Sequence, residues 1–173
     1  MAKAVPFYAN NSTMPTANRA KLIFKTIMVA GLVAGTLDII AACTHAYLAK
    51  HTQPEIILKY IAGGVFTTKV SMAGGWDMAA WGLLFHYIIA LSLAAFFVFL
   101  YVNSPVLKNI VLVGLLYGIF AWIVTTRFII PYISQLKPQP LDWSKAWIAI
   151  LILMFMIGLP IALITHSYLR KRA

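Results

Sequence analysis

Four long apolar runs constrain this chain more than anything else in it. They cover about residues 26–49, 78–102, 106–130 and 146–169, so each is 24 or 25 residues long. A helix needs roughly 20 apolar residues to cross the hydrocarbon core of a bilayer. Backbone N–H and C=O groups in lipid must be satisfied within the segment, which leaves helix as the solution for runs of this length in so short a chain. The runs therefore predict an all-α fold, an integral membrane four-helix bundle. Composition agrees: 62% of the 173 residues are hydrophobic and 10% are charged, where a soluble domain carries about a quarter.

The formal charge is +10, from 14 Lys and Arg against 4 Asp and Glu. In a soluble protein that balance points to nucleic acid. Here the basic residues flank apolar runs, so the expected partner is the lipid bilayer and no nucleic-acid role is read. With both termini on the inner side, that side carries Lys3, Arg19, Lys21, Lys25, Lys108, Arg170, Lys171 and Arg172, and the outer side carries Lys50, Lys59, Lys69, Arg127, Lys137 and Lys145. The excess of inner charges, crowded at helix ends, orients the termini to the cytoplasm. Trp76, Trp81, Trp143 and Trp147 then form an outer aromatic belt. The single cysteine excludes an intrachain disulfide.

Residues 1–20 are small and polar and read as a disordered cytoplasmic tail, with residues 21–173 as one transmembrane domain. Ile40-Ala41-Ala42-Cys43 has the look of a lipoprotein cleavage site, but Asp38 interrupts the apolar stretch before it. In the connection from 50 to 77, Pro54-Glu55 reads as a helix start. Ile56, Ile57, Tyr60 and Ile61 follow on one face, and Gly63-Gly64 is expected to end a short interfacial helix between helices one and two. Asn103-Ser104-Pro105 reads as a tight turn, and Pro138 and Pro140 stiffen the loop before helix four.

Gly31, Gly35, Asp38, Ala42 and His45 follow at spacings of four, three, four and three, which puts them on one stripe of helix one. The stripe combines residues that admit a neighbouring helix with the only acid well inside an apolar run. A carboxylate at the centre of a membrane helix costs about 2.5–3.5 kcal/mol on insertion scales and needs a partner or a proton. His86 is the candidate partner. It lies about eight residues into helix two, and Asp38 about eleven residues from the same end of helix one; at about 1.5 Å per residue both sit within roughly 5 Å of one depth. Gly82, one turn from His86, suits that face to close packing. His45 and Arg127 are further ligand or proton-binding candidates nearer the outer end.

Gly114 and Gly118 on helix three mark a second packing stripe, and Lys-x5-Gly-x3-Gly recurs at Lys25 and Lys108, suggesting a duplicated two-helix unit. Gly158-Leu-Pro160 on helix four reads as a kink. No HxxxH-type spacing supports a metal, and no nucleophile motif, phosphate loop or carboxylate pair is present, so neither cofactor nor enzymatic chemistry is expected.

The Gly31-Leu-Val-Ala-Gly35 opening, Phe85-His86, Gly114 and Gly118 followed by Pro131, and Gly158-Leu-Pro160-Ile-Ala form a layout that resembles the YagU-like group of small bacterial inner-membrane proteins, over roughly residues 26–169. The resemblance implies a bacterial plasma-membrane location and carries over no catalytic residue. Two functions remain open. One is transport or handling of a small solute or a proton through Asp38 and His86. The other is a non-catalytic structural or accessory subunit, in a homo-oligomer or with another membrane protein, whose polar residues serve helix packing. The first predicts a cavity reaching Asp38, the second a dry, sealed interface.

Overall fold

The structure, a computed structural model, describes residues 15–103, 109–136 and 142–170. These residues are almost entirely helical, with no strand among them. Four helices are long and apolar enough to cross a membrane: α1 over Thr16–Lys50, α4 over Trp76–Asn103, α5 over Ile110–Ile133, and α6 over 143–170, whose spanning part is Ala146–Arg170. Two short helices, α2 (Pro54–Phe66) and α3 (Thr68–Ala73), fill the connection between α1 and α4. The turn at Ser104-Pro105, the loop with Pro138 and Pro140, residues 1–14, and Lys108, Lys137, Lys171 and Arg172 lie outside the described residues.

Helix α1 starts ten residues before the apolar run that announces it. Residues 16–20, read above as tail, are its first turns. The cause is packing. Leu22, Ile23 and Ile27 sit against Val98, Val102 and Leu169 at the far ends of α4 and α6, so the basic residues between them ride on an anchored helix. Helix α2 also differs from its reading, because it runs through Gly63-Gly64 to Phe66. Both glycines are contact points instead: Gly63 faces Ser71 and Thr68 of α3, and Gly64 faces Ser134 beyond α5. Helix α5 begins behind an Asn109 cap, whose side-chain oxygen accepts from the Leu112 amide at 3.2 Å.

The core is built from small residues and a few large ones. Ala30 and Ala34 of α1, Ala94 and Phe97 of α4, Tyr117 and Ala121 of α5, and Ile161 and Ala162 of α6 are buried together. Lipid is as apolar as a leucine side chain, so such helices are held by close van der Waals packing rather than by hydrophobic expulsion. The glycines decide where backbones touch. Gly31 faces Leu91, and Gly35 faces Ala90 and Tyr87, which seats α1 on α4. Gly114 and Gly118 face Gly158, Leu159 and Met154, which seats α5 on α6. In both halves of the chain, then, the glycine pair of one spanning helix meets the spanning helix that follows. Gly82 is a close-contact point with α2: the Leu58 carbonyl of α2 lies over it. Phe66 of α2 meets Trp81 and Phe85 of α4, which completes that crossing.

Two helices change their winding. Thr125–Ile133 in α5 and Leu153–Gly158 in α6 are wide, π-type segments. Each is associated with a proline, Pro131 within the first and Pro160 just past the second. Proline has no N–H and crowds the preceding turn, so an α-helical ladder cannot pass it unchanged. The kink expected at Gly158-Leu-Pro160 takes this form.

Thr67, between α2 and α3, has φ 70 and ψ 150. A β-branched residue at positive φ is strained, at a cost of about 1–3 kcal/mol. Glycine there removes the strain while adding about 0.5–1 kcal/mol of unfolded-state freedom. Thr67→Gly is therefore expected to raise stability by about 1 kcal/mol, read as a higher thermal midpoint in detergent. An unchanged or lower midpoint would show that the Thr67 side chain compensates for its backbone.

Candidate functional site

Helices α4 and α5 meet through aromatic side chains in one half of the bundle. Phe96 stacks on Phe120 with centroids 5.6 Å apart, Phe97 meets Tyr117 edge-on at 4.9 Å, and the Tyr117 hydroxyl donates to the Leu93 carbonyl at 2.6 Å. Beyond these contacts α4, α5 and α6 line a cavity of about 450 Å³. Ligand pockets commonly fall between about 300 and 1,000 Å³.

The cavity walls are apolar. Ile89 and Leu93 come from α4, Ile129 and Ile130 from the wide segment of α5, and Leu153 and Ile157 from that of α6. Both π-type segments therefore face the same space, where such segments are often found in functional proteins. Tyr60, Ile61 and Val65 of α2 cover one end. The cover is pinned, since the Gln135 amide after α5 donates to the Gly64 carbonyl of α2 at 2.8 Å.

The ionisable groups lining this space are Asp38 of α1, His86 of α4 and Tyr60 of α2; no lysine or arginine does so among the described residues. His86 Nε2 lies 2.8 Å from the Gly35 carbonyl oxygen. A carbonyl only accepts, so Nε2 carries the proton, and in the neutral ring Nδ1 is left as an acceptor. Asp38 is within electrostatic reach of His86. Its Oδ1 is buried and has no hydrogen-bond partner among the described residues. The sequence reading put Asp38 beside His86 at one depth, and the structure places both on one cavity. It also shows what holds the imidazole: the backbone of α1 at the packing glycine one turn before the acid. A glycine there lets α4 come near enough for the ring to reach the carbonyl.

The other candidates stand apart. His45 and Arg127 are exposed and line no part of the cavity. Among the described residues no group of three His, Cys, Asp or Glu side chains could hold a metal ion. Thr125 lines the cavity, while the neighbouring Thr126 hydroxyl donates to its own helix at the Trp122 carbonyl. At the opposite end of the bundle, a chain of three polar side chains was not foreseen. The Arg170 guanidinium donates to His166 Nε2 at 3.1 Å, which leaves His166 Nδ1–H to donate to the Tyr101 hydroxyl at 2.9 Å. The i,i+4 spacing of His166 and Arg170 was the available signal; the Tyr101 partner, on another helix, had none.

No family model, curated protein or solved structure matches this chain. Function is therefore argued from the site itself.

Proposed function

We propose that this protein binds and carries a small solute, or a proton, across a bacterial inner membrane, with Asp38 and His86 as its binding groups and no enzymatic chemistry of its own. The observation that carries the reading is a cavity among helices long enough to span a membrane that ends on an ionisable pair. Intramembrane acids and histidines facing a cavity typically mark ion and substrate pathways. The accessory-subunit reading predicts a sealed interface around Asp38 and draws less support from a space of this size.

The location is part of the proposal. Resemblance to the YagU-like group supports a bacterial plasma membrane, and the basic residues near the α1 start and α6 end, Arg19, Lys21, Lys25 and Arg170, support cytoplasmic termini.

Thermal unfolding of the purified protein in detergent, across pH, tests the binding role. The wild type is expected to show a pH-dependent segment in its midpoint that Asp38→Asn lacks; among the described residues the other ionisable side chains lining the cavity are His86 and Tyr60. Two curves offset by a constant amount at every pH would make Asp38 a packing residue and end the proposal.

A further inference from the structure

We infer that the solute this site takes is a small lipophilic amine: a primary or secondary amine on an apolar body, drawn from the membrane through the side of the bundle. The inference rests on the reading above and narrows it to a ligand class.

Three observations converge. First, Asp38 Oδ1 is buried and has no hydrogen-bond partner among the described residues, no lysine or arginine among them lines the space, and the one other basic group there, His86, has its Nε2–H committed to the Gly35 carbonyl. A ligand that brings donors and can take up a proton, as an amine does, meets the Asp38 carboxyl group as an ion pair. A metal ion brings charge but would find two protein ligands there, short of the set that metals take. Second, the rest of the wall is aliphatic or aromatic, so whatever carries the nitrogen is apolar. Third, the space reaches the side of the bundle at mid-height: Ile88, midway along α4, lines the cavity and is 50% exposed. In a membrane that face meets lipid, so the site selects among molecules already dissolved in the bilayer.

The charge balance suits this route. An amine enters from lipid as its uncharged free base. Its nitrogen lone pair takes the proton of the Asp38 carboxyl, so that R–NH2 and HOOC– become R–NH3⁺ and ⁻OOC–. One O–H bond breaks, one N–H bond forms, and the total charge of the cavity stays at zero. The low-dielectric interior therefore receives an ion pair rather than a lone charge.

The test uses the full chain in lipid nanodiscs with 2-phenylethylamine as the probe and 2-phenylethanol as its uncharged counterpart. The amine is expected to bind at least tenfold more tightly than the alcohol, and Asp38→Asn to abolish that preference. Ile129→Trp fills the apolar wall while keeping the carboxyl group; it should remove amine binding, and it covers the case in which Asp38→Asn fails to fold. Equal binding of amine and alcohol, or wild-type amine binding by Ile129→Trp, overturns the inference. If the amine does not bind while the pH-dependent difference between wild type and Asp38→Asn persists, the amine inference falls and the solute or proton reading stands. If neither distinguishes the two proteins, both fall.

Discussion

Replacing Gly158 by alanine is expected to destabilise the protein by about 2 kcal/mol, although alanine is the better helix former. A Cβ atom there would run into the Gly114 carbonyl oxygen and the Gly118 amide nitrogen and Cα. All of these are backbone atoms, so no rotamer change can make room and α5 must move away from α6. Overpacking of this kind costs about 1–3 kcal/mol, occasionally more, and the gain in helix propensity returns at most about 1 kcal/mol. The comparison that isolates packing is Gly64→Ala. There the nearest atom to a new Cβ is the Ser134 Cβ at 3.4 Å, an ordinary contact. That variant is expected to be neutral, or more stable by up to about 1 kcal/mol. Thermal midpoints of both variants in one detergent decide the matter. A Gly158→Ala protein as stable as Gly64→Ala would mean that α5 and α6 do not meet backbone to backbone.

Asp38→Leu is expected to act in the opposite direction. The carboxyl group has a buried oxygen without a hydrogen-bond partner among the described residues and lines the cavity, so a leucine has room and leaves nothing unsatisfied. Replacing an acid near the centre of a spanning helix with leucine is worth about 3 kcal/mol on insertion scales. About half of that survives where a cavity already admits polar contact, so a gain of about 1–2 kcal/mol is expected. Loss of the pH-dependent segment of the unfolding midpoint should accompany it. Gain of stability with loss of response is the usual signature of a residue kept for function. A destabilised Asp38→Leu protein would instead assign the carboxyl group to helix packing.

What could be read from the sequence follows from which signals are local. The four spans announce themselves by run length, because lipid leaves the backbone one option. The stripe through Gly31, Gly35 and Asp38 was readable because helical periodicity alone places those residues together, and depth counting along two helices was enough to bring His86 to Asp38. The start of α1 was hidden, since Arg19, Lys21 and Lys25 interrupt the apolar pattern and the reason for the helix lies in Val98, Val102 and Leu169 on other segments. Gly63-Gly64 resembled a stop because a glycine pair usually weakens a helix; its role depends on α3 and Ser134, which only the tertiary arrangement brings near. Gly82 was readable as a contact point, yet its partner was not, because the backbone of a connecting helix carries no sequence label. The cavity itself was beyond reach: its walls include the wide segments near Pro131 and Pro160, and a proline announces a change of winding without its size or direction.

The wide segments of α5 and α6 have a consequence for numbering as much as for shape. A π-type turn accommodates one residue more than an α-turn, and one residue is about 100° of rotation on a helix of 3.6 residues per turn. Gly114, Gly118 and Ala121 on the near side of the α5 segment and Ile129, Ile130 and Ile133 within it therefore belong to two different helical wheels, one aimed at α6 and the other at the cavity. Shortening the chain by a single residue there would restore one wheel to the whole helix and turn the cavity wall away from its site. The length of α5, counted to the residue, is thus as much a determinant of this pocket as the chemistry of any side chain lining it.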